Sequence, residues 1–557
     1  MRITFSRGAL LVFAAAALLT GCQQPMPASP SRAPRVPAPS TIPEQTRDAR
    51  TCSHAELMEF LDALSAAGDP RLVRTTFGTT PEGRALPLVI VADPPVATPQ
   101  EAFASGKPRV FVMANIHAGE VEGKEACLEL LREIVFGAAR GGAAGDEPCP
   151  VRDLVLLVAP IYNADGNDRF GPTNRPLQNG PPLTGTRATA GGKDLNRDYL
   201  KLETAEAAAL VALLAAWDPH VVVDLHTTNG SSHGYELTYA GPLSPSTDGT
   251  LRAALEQDWL PELRRRVRER HGFELFDYGN FIHAFDESEV DVPDTVTGWR
   301  TFDHRPRFGN NYVGLRNRFA ILSEAYSYAD FRVRIAATRA FVAEILRLAA
   351  ERGADLMAVC ARADAATAAA GRDGQLLQAT GAELVSRGTE PLRLRGTELR
   401  KDPGTGEVTK VAAGPVTLLD VPCFTGFRAT ATCLAPRAYI LPPSQAALAD
   451  RLAVHGLRVE TLAAPLTATV SVCRVAETSL AEEVFQGHHA RGVRWSVSEQ
   501  SRTFPAGSLR IGLDQPLARL AFQILDPQAD DGLLVWNTFD DVIASGPGAE
   551  LPVYAVR

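Results

Sequence analysis

The chain has 557 residues and a mass of 59.7 kDa, about three or four times the length of one ordinary domain, so more than one core is expected. With 45% hydrophobic and 22% charged residues it is neither wholly disordered nor a bundle of membrane spans. Lys and Arg total 56 against 65 Asp and Glu, and the net charge of −9 excludes nucleic acid as a natural partner.

Residues 1–22 read as an export signal. Arg2 and Arg7 precede an apolar run from Ala9 to Leu19 that is too short to span a bilayer. The run ends in Leu19-Thr20-Gly21-Cys22, which resembles the lipobox of bacterial lipoproteins and predicts a lipid anchor on Cys22. Gln23 after that cysteine resembles outer-membrane sorting, with the mature chain periplasmic or extracellular. Residues 23–49 are rich in Pro, Ala and Ser and predict a semi-rigid tether. The other cysteines are Cys52, Cys127, Cys149, Cys360, Cys423, Cys433 and Cys473, with no CxxC spacing among them. Cys423 and Cys433 are close enough in sequence to clip a hairpin, and Cys127 reads as a buried free thiol.

From residue 50 to 350, helix-like and strand-like runs alternate. Arg74 to Ala92 predicts a hairpin turning at Pro81-Glu82-Gly83. Val110–Ile116, Leu154–Ile161, Val221–Leu225 and Phe319–Leu322 predict buried strands, with helices at Glu125–Val135 and Glu203–Trp217 between them. This pattern predicts an α/β domain with a mixed central sheet and helices on both faces. Residues 351–372 read as a helical connector. Residues 373–557 change texture, toward short strands and turns around one strand–helix–strand unit at Tyr439 to Val459, and predict a smaller, β-rich C-terminal domain.

Candidate chemistry sits where the predicted strands end, the edge at which open α/β sheets bind ligands. The first strand ends in His117-Ala118-Gly119-Glu120, whose spacing aims an imidazole and a carboxylate at one cation. The third ends in Asp224-Leu225-His226. His220 lies at the opposite edge and His233 in a Gly/Ser-rich loop, so His226 is the best third ligand. Two His and one Glu with an open fourth position form a catalytic zinc donor set; three unrelated polar strand caps are the alternative. The fourth strand ends in Ser323-Glu324, and a carboxylate there suits a general base, or a salt bridge.

Gly78-Thr79-Thr80-Pro81-Glu82-Gly83-Arg84, the His117–Glu120 segment, Asn163-Ala164-Asp165-Gly166, Lys193-Asp194-Leu195-Asn196-Arg197, Asp224-Leu225-His226 and Ser323-Glu324 occur in one order. In that order they resemble the zinc carboxypeptidases of the carboxypeptidase A type, the M14 peptidases, over about residues 50 to 345. The resemblance implies that His117, Glu120 and His226 hold one zinc ion per chain, with Glu324 as general base. It further implies that Asn196 and Arg197 bind the terminal carboxylate of a peptide substrate, that Arg175 stabilises the oxyanion, and that Asp194 orients a ligand histidine.

Three departures bear on this. Asn-Ala-Asp-Gly replaces Asn-Pro-Asp-Gly, Gly119 stands where arginine is common, and the expected tyrosine before the base does not align. Phe302 is near the expected spacing, while Tyr312, closer to Glu324, is the candidate for substrate binding. Asp286 to Arg300 reads as a long loop beside the site. A zinc-dependent deacylase of acyl-amino acids would share the ligands and base, and a non-catalytic peptide-binding lipoprotein would use the same residues only as contacts. Glu324 together with all three ligands favours the peptidase.

Overall fold

The apolar runs become strands of one eight-stranded sheet: β1 (Leu72–Thr79), β2 (Ala85–Val91), β3 (Arg109–Ala114), β4 (Val155–Ala159), β5 (Val221–Thr227), β6 (Leu237–Ala240), β7 (Leu275–Asp277) and β8 (Phe319–Ala325). This computed structural model describes residues 37–137, 150–228, 230–284, 295–401, 403, 406 and 408–557. The signal segment, Cys22, the tether as far as residue 36, Cys149 and residues 286–294 lie outside the described residues. Among the described residues no helix is long and apolar enough to cross a membrane.

Strand order is β1-β2-β4-β3-β5-β8-β6-β7. The middle four, β4, β3, β5 and β8, run parallel, while β2 and β6 join them antiparallel. Every residue of β3, β4 and β5 is buried, which is why their sequences run apolar without alternation. Alternate side chains point to opposite faces. Val110 and Val112 pack with α1 (Glu122–Phe136) and α4 (Phe331–Glu351); Phe111 and Met113 pack with α2 (Ala205–Trp217) and α3 (Gly309–Leu315). Gly123 lets α1 approach β5, since a Cβ there would lie 2.7 Å from Leu225 Cβ. The helical connector is α5 (Gly353–Arg372), directly after α4.

The expected boundary after residue 372 is a change of texture and not a break in the core. Residues Ala38–Arg557 form one compact unit. One hydrophobic cluster unites Leu210, Leu214 and Tyr312 with Tyr439, Leu452 and Phe522 from the trailing region. Helices α2 and α3 leave apolar surface on that face of the sheet, and the C-terminal segments bury it. A four-stranded sheet also crosses the boundary, pairing strands Asn280–His283 and Val296–Arg300 with the Thr389–Lys401 and Val408–Phe424 hairpin. Residues 296–300, expected in a loop, are therefore strand.

The C-terminal strands are longer than expected. The Leu466–Phe485 and His488–Phe504 strands form an antiparallel hairpin within a six-stranded sheet. Cys423 and Cys433 do not clip a hairpin: Cys423 pairs in register with Trp299 and Cys433 with Gln378, and both are free thiols. Cys127 is a buried free thiol, as expected, and burial pushes it up to about 12.

Candidate metal centre and active site

Beyond β3 the chain reverses at Asn115, whose φ of 65° lies in the left-handed region that Asn tolerates. Its side-chain amide donates to the Ala118 and Glu120 carbonyls, and Glu120 N–H donates to the His117 carbonyl at 2.9 Å. This tight turn aims His117 and Glu120 inward, one residue ahead of α1. His226, near the end of β5, meets them. Glu120 Oε1 lies 3.0 Å from His117 Nδ1, Glu120 Oε2 lies 3.1 Å from His226 Nδ1, and the two Nδ1 atoms are 3.3 Å apart. One donor atom from each residue falls within 4.8 Å of the others, and all three residues are buried.

Carboxylates stand behind both rings. His117 Nε2 is 3.1 Å from Asp194 Oδ1, and His226 Nε2 is 2.9 Å from Asp224 Oδ2, the latter a charge contact not aligned as a hydrogen bond. With Nε2 so engaged, Nδ1 is left to donate its lone pair, the arrangement found behind metal-bound histidines. Thr227 N–H donates to Glu120 Oε2 at 3.1 Å and fixes the carboxylate plane. Burial opposes charge here, yet the charges of His117 and Arg175 hold Glu120 well below the usual carboxylate range. Likewise Asp224 and Glu120 outweigh burial and hold His226 well above its ordinary value. Two imidazoles and one anionic carboxylate converging on one buried point fit a divalent zinc ion.

Parallel register sets Glu324 of β8 beside His226 of β5. Burial pushes the Glu324 carboxyl up to about 8, with His226 opposing the rise and Glu120 adding to it. A buried carboxyl with raised proton affinity, adjacent to a candidate metal ligand, suits proton transfer.

Residues 57–241 match the family described as zinc carboxypeptidase. Carboxypeptidase 2 of Trichophyton equinum is 23% identical over 540 residues, spanning 94% of this chain and 91% of that protein. Carboxypeptidase D of Mus musculus is 30% identical over 210 residues, 35% of this chain and 15% of that protein. A metallo-carboxypeptidase structure from Burkholderia cenocepacia aligns with 52% of this chain and 68% of its own at 16% identity, with a TM-score of 0.38. The match over residues 57–241 and the donor set support a metallopeptidase.

In this metallopeptidase, two sequence motifs serve as scaffold. Asp165 of the Asn163–Gly166 turn accepts from Thr80 Oγ1 at 2.6 Å and Arg84 Nη1 at 2.7 Å, tying that turn to the Gly78–Arg84 motif. Asn163 caps its own turn and donates to the Ile116 and Arg187 carbonyls, next to His117. Asp194 accepts from its own turn at Asn196 N–H, placing Asn196 and Arg197 just beyond it. Asn196 Oδ1 accepts from Gly309 N–H at the start of α3, and Arg197 lies 3.9 Å over the Phe308 ring.

The structure revises two expectations, for Arg175 and Tyr312. Arg175 is committed to the scaffold: it donates to Glu120 at 3.1 Å, to Gln178, and to the Thr227 and Thr228 carbonyls. It also fills the space beside Gly119, where a Cβ would lie 2.6 Å from Arg175 Cγ. Arg187, missed from sequence, is 44% exposed and donates to Asp194 at 3.0 Å. Tyr312 is not placed to meet a substrate. It is fully buried in α3, with its hydroxyl 2.9 Å from His455 Nδ1. A phenol that feels the charges of the centre is Tyr278, just past β7: burial raises its pKa most, and Glu324 and Glu120 raise it further. Its distance in sequence from Glu324 hid it from a spacing argument.

Proposed function

We propose that the protein is a zinc metallocarboxypeptidase that removes C-terminal residues from peptides. The observation that carries this reading is the coupling of a three-residue donor set to two arginines through one carboxylate. Asp194 faces His117, bonds Arg187, and is electrostatically coupled to Arg197. His117, Glu120 and His226 would hold one zinc ion per chain, which when bound supplies a Lewis acid for a carbonyl and acidifies water. Glu324 acts as general base toward the attacking water and returns the proton to the leaving amine.

Arg197 and Asn196 receive the substrate's terminal carboxylate, and Arg187 meets the developing oxyanion. Burial depresses Arg197 most, and although Asp194 opposes this, Arg187 and Arg307 depress it further, so an anionic ligand there is favoured. The carboxypeptidase names of the relatives support the same substrate class. We also propose export and membrane anchoring through acylated Cys22, tested by palmitate labelling that Cys22→Ser abolishes.

The test of end-specificity compares free-acid peptides with their C-terminally amidated twins. A charge-assisted contact to the carboxylate of roughly 1.5–3 kcal/mol predicts that amidation slows cleavage about 10- to 150-fold. Arg197→Ala should remove that difference. Internal cleavage, or equal rates on both ends, overturns the carboxypeptidase reading, and faster turnover of small acyl-amino acids moves it to a deacylase.

A further inference from the structure

The C-terminal region reaches the Lys193–Asp194 turn behind the metal site at the tip of the 466–504 hairpin. Of its first strand, Val470 to Cys473 are buried, whereas Glu477 to Phe485 are exposed. The hairpin turns at Gln486-Gly487, with φ of 54° and 85°. Positive φ at both central residues is what a two-residue hairpin turn requires, and Asn or Asp before Gly is the usual choice. Glutamine is less at ease in the left-handed region than Asn.

The additional methylene of Gln486 has a use at this position. Gln486 Oε1 accepts from Asp194 N–H at 2.9 Å, and the Gln486 carbonyl accepts from Lys193 Nζ. Beside them, His488 Nε2 lies 2.7 Å from Glu203 Oε1 and Nδ1 lies 2.9 Å from Asn537 Oδ1. Gln486 and His488 are half-buried although their strand neighbours Phe485 and His489 are exposed. The tip is therefore docked on the Lys193–Asp194 turn, beyond the exposed Glu477 to Phe485 stretch of the first strand. The far end of Asp194, its carboxylate, is 3.1 Å from His117 Nε2 and 3.0 Å from Arg187 Nε.

We propose that Gln486 is a positioning residue of the active site: by holding the Asp194 backbone it fixes the carboxylate that orients His117 and Arg187. The C-terminal hairpin is thus part of the catalytic apparatus. This rests on the metallocarboxypeptidase reading of the site, and its test separates the two.

Gln486→Asn keeps a side chain suited to the turn but is too short to reach Asp194. In the full-length zinc-loaded enzyme, this variant should melt at or above the wild-type temperature. It should nonetheless bind zinc about tenfold more weakly, the lower end of what loss of outer contacts to a metal ligand brings. The kcat should fall with it, more than KM rises. Gln486→Glu, which keeps an acceptor at the original reach, should recover most of the zinc affinity. Zinc affinity and kcat within twofold of wild type in Gln486→Asn overturn the proposal, as does a loss of zinc matched by lower thermal stability. Equal behaviour of the Asn and Glu variants does the same. A wild-type enzyme that binds no zinc overturns the reading of the site itself, and the positioning role with it.

Discussion

The two sides of the active site are built by opposite means. On one side His226 and Glu324 stand on adjacent parallel strands, and the backbone ladder fixes their separation and direction. On the other, residues 187–197 carry little regular structure and are held by side-chain contacts from distant parts of the chain, including Gln486. A ladder tolerates an isosteric change in one side chain without moving its neighbours, whereas a loop held by single polar contacts shifts when one is lost. Substitutions on the sheet should therefore remove a chemical role and leave the geometry. Substitutions on the loop side should alter binding and rate together.

The largest expected effect lies on the sheet. Glu324→Gln preserves shape and register, so zinc content should remain that of the wild type while kcat falls about 10²- to 10⁴-fold, the usual range for a lost general base. His226→Ala, one strand away, should instead lose the metal. Elemental analysis beside single-turnover kinetics separates the two. A Glu324→Gln protein that loses zinc, or a His226→Ala protein that keeps it, would break the distinction between ligand and base.

What could be read from sequence follows the same division. Strands β3, β4, β5 and β8 were legible because burial on both faces forces continuous apolar runs, and the residues at or just past their ends named His117, His226 and Glu324. Arg187, Tyr278 and Gln486 were not legible. Their placement depends on contacts across long separations; the Gln486 contact to Asp194 spans 292 residues. Arg175 misled because a cation of suitable type and order is indistinguishable in sequence from one already spent on Glu120 and two carbonyls. Tyr312 misled for a related reason: it is a tyrosine shortly before Glu324, though off the expected spacing, and α3 turns it toward His455. The C-terminal boundary was legible as a change of pattern. Which apolar face those strands would cover was not, since that depends on what α2 and α3 leave bare.

A smaller effect tests whether the trailing region shares the catalytic core. Phe522 is fully buried in the cluster that also holds Leu214 and Tyr312. Phe522→Ala should destabilise the protein by about 3–5 kcal/mol through lost burial and the cavity left behind. Because the cluster crosses residue 372, intrinsic fluorescence and peptidase activity should be lost in one transition at a lower temperature. An early transition that leaves activity intact would show that the two regions unfold separately.

The smallest effect concerns acid. His220 and His233 lie in the catalytic half and His455 in the trailing region; burial is the leading cause that lowers each to about 3. Arg109 and Arg318 add to the lowering at His220, and Arg316 and Arg451 at His455, while Asp218 opposes it at His220. An unfolded histidine takes up its proton near 6.5, so between pH 6.5 and 3 the unfolded state binds more protons than the folded one. Stability from these groups is therefore complete above 6.5 and declines as pH falls. At pH 5.5 each contributes a loss of about 1.4 kcal/mol. His455→Gln can still accept the Tyr312 hydroxyl bond but does not titrate, so its stability should fall by about 1.4 kcal/mol less between pH 7.5 and 5.5. Denaturant unfolding at the two pH values measures the difference. If one core joins both regions, that relief appears in the single global transition; if it appears only in a separate C-terminal transition, or nowhere, the shared core or the buried neutral state of His455 is wrong.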